Sequence, residues 1–182
     1  MRIFDTGRVQ DKLINKLERK EKHEAFHRDR FFKFKLTEIQ SRLTQALLME
    51  KIVETDNPSA LPDLLSKGLR RLLKLNEFDY KYFIAPLRDL LPRPNPISLY
   101  LTQFILEVVM NDPSVIDIYG TDLDIYRVVN DVIAQINIKF ERTENEILQQ
   151  LANSKTLTPG SREYDIALEQ LVRKKLGDPQ QS

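Results

Sequence analysis

Two histidines are the only groups in the chain spaced as catalytic groups usually are. His23–Glu24–Ala25–Phe26–His27 fits the pattern H-E-x-x-H. On a helix, positions i and i+4 share a face, so two imidazoles could hold a zinc ion while the glutamate takes a proton from its bound water. A catalytic zinc also needs a third protein ligand and a walled cleft. Glu38 and Glu50 lie downstream in no recognised third-ligand spacing, and the flanks Arg19–Lys20–Glu21–Lys22 and Arg28–Asp29–Arg30 read as a solvated helix. The plainer expectation is a pair of exposed histidines. No metal and no cofactor is expected, with His23 and His27 as the sole candidate ligands otherwise.

The remaining composition narrows the chemistry further. With no histidine elsewhere, a Ser-His-Asp arrangement is excluded. The chain has no cysteine, which removes disulfides, thiolate nucleophiles and cysteine-based zinc sites and fits a reducing compartment. Its five glycines form no phosphate-cradling loop, and the paired carboxylates Asp122 and Asp124 read as charges at a helix N-terminus. The expectation is a protein that is not an enzyme.

A different chemistry is written at residues 28–35. Arg28, Arg30, Phe31, Phe32, Lys33, Phe34 and Lys35 interleave basic and aromatic side chains. Such a segment can grip an acidic protein partner, or stack bases while holding phosphates. The simpler alternative is that the rings anchor a helix to the core while the cations stay in water. Residues 1–35 carry 11 Lys/Arg against 6 Asp/Glu, a local charge of +5. The whole chain has 28 against 27, or +1, so the remainder carries −4. That balance disfavours a dedicated nucleic-acid binder. The expected partner is another protein, a second copy included; nucleic acid held by residues 28–35 is the alternative, and no membrane is expected.

The elements that must position these groups are helical. Glycine is scarce and apolar residues recur with helical period. Residues 8–35 form a charged arm, helical but loosely attached, on which Val9, Leu13 and Leu17 make one short stripe. A helix over about 36–51 places Leu36, Ile39, Leu43 and Leu47 on one face. Asp56–Asn57–Pro58 breaks it. Ser59 then caps a helix to about Leu75 that buries Leu61, Leu64, Leu65, Leu69 and Leu72. A shorter helix covers 80–91. Pro92, Pro94 and Pro96 mark a linker. Helix 97–110 carries Ile97, Leu101, Phe104, Ile105 and Val108 inward. Val115–Tyr119 suits a short extended piece. A long helix runs over about 122–151 with Ile125, Val128, Val129, Val132, Ile133, Ile136, Phe140, Ile147, Leu148 and Leu151 as its stripe. Ser161 caps a last helix to about Leu176, which buries Tyr164, Ala167, Leu168, Leu171 and Val172.

The fold class is therefore all-α: a charged N-terminal helical arm (1–35), a first helical subdomain (36–91), a Pro-rich linker (92–96), a second helical subdomain (97–176) and a loose tail (177–182). The subdomains look related. Leu43–Thr44–Gln45–Ala46–Leu47 recurs as Leu101–Thr102–Gln103–Phe104–Ile105, and each copy leads through a Pro-containing break to a helix with paired aliphatics. Asp5 and Asp11 stand where a signal peptide would be apolar, and no apolar run approaches the ~20 residues of a membrane span. A soluble, cytoplasmic protein is expected.

The second half carries a motif. Val128–Val129–Asn130–Asp131–Val132–Ile133–Ala134–Gln135–Ile136 leads through the charged stretch Phe140–Leu148 to a polar loop, and then to Pro159–Gly160–Ser161–Arg162–Glu163–Tyr164–Asp165. This resembles the bacterial family called domain of unknown function 507, in which the last element begins as Gly-Ser-x-Glu-aromatic-Asp. The resemblance covers roughly 97–176, with 36–91 as a diverged first copy lacking that ending. It implies a small cytoplasmic helical protein and no particular activity.

Overall fold

In the computed structural model of the chain, residues 6–75 and 77–177 are described; within the first helix, the side chains of residues 6–8 and 19–29 lie outside that description. The chain is predominantly helical, with one small two-stranded ribbon. Its elements run α1 (Thr6–Met49), β1 (Val53–Thr55), α2 (Ala60–Lys74), α3 (Ala85–Leu90), α4 (Pro96–Phe104), a π-helical turn (Ile105–Val109), β2 (Val115–Ile118), α5 (Asp122–Ala152) and α6 (Arg162–Leu176).

The charged arm and the helix expected over 36–51 are one continuous element of 44 residues. Neither glycine nor proline occurs between residues 8 and 57, so nothing in the backbone interrupts the helical ladder. It ends in a Schellman motif. The Ile52 amide reaches back to the Leu47 carbonyl (3.0 Å), and the Lys51 amide to that of Leu48 (3.2 Å). Leu47 and Ile52, the pair such a motif brings together, are both buried. The left-handed position is filled by Lys51, φ 54°, where glycine is usual.

Antiparallel strands β1 and β2 join the two halves, pairing Val53 with Ile118, Glu54 with Asp117, and Thr55 with Val115. The skipped Ile116 forms a bulge and is exposed. Helix, strand, helix thus occurs twice, in α1–β1–α2 and in α4–β2–α5.

Helix α5 lies antiparallel to α1. Arg42 meets Gln135, Phe31 meets Phe140 and Arg30 meets Glu144, in opposite order along the two chains. One apolar cluster unites both sides of the Pro92–Pro96 segment, from Phe31 through Leu43, Leu65, Leu101, Ile105, Val129 and Phe140 to Val172. At roughly 1.5–3 kcal/mol per buried side chain of this size, that cluster is the main stabilising term. Of the expected α6 face only Val172 is buried; Tyr164, Ala167, Leu168 and Leu171 are half-buried against the same cluster.

Two elements differ from the pattern in the sequence. The helix expected over 80–91 is shortened to α3, with Pro86 in its first turn. The Gln103 side chain captures the preceding backbone instead: its carbonyl accepts the Lys81 amide (2.7 Å) and its amide donates to the Asp79 carbonyl (3.1 Å). Helix 97–110 widens into a π turn where the Met110 amide bonds the Ile105 carbonyl five residues back. Leu101, Ile105 and Val109 are all fully buried at steps of four. The π turn leaves all three in the core.

Candidate functional site

The most distinctive surface lies at the free end of α1. Beyond Glu144, α5 has eight more residues, 145–152, and at 1.5 Å each they reach back only to about residue 22 of α1. The side chains of residues 9–18 are all exposed. Among them Val9, Leu13, Ile14 and Leu17 are between 52% and 60% exposed. At about 100° per residue the four span roughly 140° of the helix circumference, a full amphipathic face. The sequence marks three of them by their four-residue spacing; Ile14 widens the stripe beside Leu13.

Residues 30–32, C-terminal to the stripe, fix this part of the helix to the core. Phe31 and Phe32 pack edge to face with centroids 5.4 Å apart, and Phe31 packs likewise on Phe140 at 5.5 Å. The Arg30 guanidinium donates to the Glu144 carboxylate at 3.1 Å, where Glu144 is buried in α5. A charge-assisted bond in such a place orients the helix as well as holding it.

The interleaved segment 28–35 therefore divides. Phe31, Phe32 and Phe34 are buried and offer no face on which a base can stack. Arg30 is committed to Glu144, and Lys35 pairs with Glu38 at 3.3 Å. Lys33 is exposed. The side chains of Arg28, His23 and His27 lie outside the described residues, so the zinc reading does as well. Among the described residues no three His, Asp or Glu side chains group as metal ligands.

A second concavity, of about 390 Å³, lies where the end of α1 meets the start of α5. Glu50, Lys51, Tyr119, Asp124 and Arg127 line it. Two of its polar side chains, Asp124 and Tyr119, are committed to neighbouring groups. The Asp124 carboxylate accepts the Thr121 amide (3.0 Å) while the Thr121 hydroxyl accepts the Asp124 amide (3.2 Å), a complete capping box. Those bonds hold the Asp124 carboxyl below the usual range. The Tyr119 hydroxyl donates to the Glu54 carboxylate, which raises the Tyr119 pKa. A third depression, about 490 Å³, runs between α1 and α2 along Thr37, Gln40, Ser41 and Thr44 and carries no charged group.

Among the described residues, no helix is long and apolar enough to cross a membrane. No curated protein and no solved structure matches the chain. A family model does match, over residues 95–177. The match opens on Asn95, whose side chain caps α4 by accepting the amides of Ile97 and Ser98, and closes on Gly177, the C-cap of α6. It encloses α4, β2, α5 and α6, and leaves outside it the α1–β1–α2 half that pairs with β2 and covers α5. The family is the one described as Protein of unknown function (DUF507), and the segment 95–177 is what resembles it.

Proposed function

We propose that this chain is a non-enzymatic interaction protein of the bacterial cytoplasm, and that the N-terminal half of α1 is its contact element. The observation that carries the reading is the exposed stripe Val9, Leu13, Ile14 and Leu17 on a helix fixed to the core by Phe31, Phe32 and Arg30. A solvated helical extension bearing an apolar face is marginal in water by itself. Laid against a partner, the same face gains burial and the helix gains order, the mode by which amphipathic helices dock through anchors at i, i+4 and i+8. By sequence, residues 1–35 carry a net charge of +5, which favours an acidic partner surface. The lack of cysteine suits a reducing compartment.

The test is capture from a lysate of the source organism, with the full chain and with Leu13→Asp plus Leu17→Asp compared. The reading expects a protein retained in near-stoichiometric amount by the native chain and lost from the variant, with far-ultraviolet circular dichroism of the two superimposable. Equal retention by both would reject the stripe as the contact element.

A further inference from the structure

We infer that residues 82–94 form a flap that lifts off α4 and α5 as a unit while the rest of the fold stays closed. The device is independent of the stripe on α1. One end is a clamp. The Gln103 side chain accepts the Lys81 amide (2.7 Å) and donates to the Asp79 carbonyl (3.1 Å). Beside it the Tyr80 hydroxyl donates to the Pro96 carbonyl at 3.0 Å, and the Lys81 ammonium pairs with Glu107. The other end is a pivot. Asn95 caps α4 with its side chain and donates its amide to the Tyr126 hydroxyl at 3.0 Å. Between these fastenings, among the described residues, no side-chain hydrogen bond or ion pair ties residues 82–94 to the rest of the chain. The Arg88 guanidinium stays local, beside Asp89 and over the Tyr80 ring.

What holds the middle is apolar. Ile84 and Leu87 are buried with Leu99 of α4 and Tyr126 of α5, in a small cluster separate from the main core. Helix α3, which carries Leu87, has six residues and is too short to be helical without that contact. Nothing packs over it from outside: Tyr82 and Leu90 stand 89% and 68% exposed. Leu91 leaves α3 in an extended conformation, and Pro92 and Pro94 stiffen the stretch to the pivot, so the flap swings as one piece. A cover fastened at its ends and held between them by two buried side chains opens at a lower free energy than the main core. Lifting it uncovers Leu99 and Tyr126, with Leu106 and Leu123 beside them. That floor lies within residues 95–177, the segment that resembles the family, and the flap lies just outside it.

Hydrogen exchange of the full native chain, followed amide by amide at low urea, reads the flap directly. The Arg88 and Leu91 amides bond the Ile84 and Leu87 carbonyls at 3.0 and 3.3 Å. They should exchange at least ~100-fold faster than the amides of Val129 and Ile133 in α5, with a shallower dependence on urea. Exchange at Arg88 and Leu91 with the rate and urea slope of Val129 and Ile133 would overturn the flap, because those amides would then open only with the whole fold. The absence of native cysteine gives a second reading. A thiol reagent should label Leu99→Cys, under the flap, faster than Leu65→Cys in the main core. Adding Leu87→Ala should quicken labelling of Leu99→Cys at least ~10-fold and leave that of Leu65→Cys unchanged. Equal acceleration at both positions would put Leu87 in the main cooperative unit and overturn the flap.

Discussion

Gly68 of α2 faces the ring of Phe104 so closely that a Cβ at this position would stand 2.7 Å from Cδ1. The contact is where α2 crosses the end of α4, just before the π turn, and Arg71 covers the same ring with its guanidinium 5.6 Å from the centroid. Glycine here makes room for an aromatic side chain in the central core. Gly68→Ala is expected to lower stability by about 1–3 kcal/mol, the usual cost of an overpacked site, despite alanine's better helix propensity. Adding Phe104→Leu should recover part of that loss, and a double-mutant cycle in urea would show it as a positive coupling between the two sites.

Lys51 holds a backbone conformation, φ 54°, that glycine adopts more readily. Its amide bond to the Leu48 carbonyl does not depend on the side chain. Lys51→Gly should raise stability by about 0.5–1 kcal/mol, because relief of the left-handed strain exceeds the extra entropy of the unfolded chain. The urea midpoint would move up with an unchanged slope.

Arg30 and Glu144 tie the helix that bears the stripe to α5. Arg30→Ala removes a charged partner from a buried carboxylate and should cost about 1–3 kcal/mol. The effect should concentrate at that end of the bundle. Hydrogen exchange of α1 amides N-terminal to Phe31 is expected to quicken more than exchange at Ile39–Leu47, and a uniform change along α1 would argue against a local tie.

The fold's response to pH has a definite sign at both extremes. Burial raises the Tyr80 hydroxyl to about 12, against the opposing Arg88 guanidinium, from an ordinary value of 10.0; that hydroxyl donates to the Pro96 carbonyl at 3.0 Å. The folded form holds the proton more tightly, so this contribution is complete below about pH 10 and is lost as pH rises from there to about 12. The Asp124 carboxyl is shifted the other way by its bonds to Thr121. Its contribution is present above the ordinary value of 3.8 and lost as pH falls through the lower folded value. Thermal unfolding from pH 2 to 12 should show both limbs. Tyr80→Phe is expected to flatten the alkaline limb and Asp124→Asn the acid one.

Much of this architecture is legible where the signals are local. Leu61, Leu64, Leu65, Leu69 and Leu72 are all buried as their spacing predicts, and Ser161 caps α6 by accepting the Tyr164 amide. Helix α5 ends within a residue of its expected bound. What escapes the sequence is non-local. Strand β1 is three residues long and exists because β2, some sixty positions away, supplies its partner. The start of α3 is set by a glutamine side chain in α4 that takes up the Asp79 and Lys81 backbone groups. The division of the segment 28–35 is legible only in part. Its rings and its cations have the same composition whether the rings face solvent or core, and Phe140 on α5 decides the matter for Phe31. The stripe at Val9, Leu13 and Leu17 is visible as a pattern, but its exposure depends on where α5 stops.

The central claim is that this stripe touches protein. A photo-crosslinking side chain placed at Leu13, with the same group at Asn15 on the opposite side of α1 as its control, tests it inside the cell. The account predicts a discrete protein adduct from position 13, either this chain or another, and none from position 15. No adduct at position 13, or the same adducts from both positions, would contradict it.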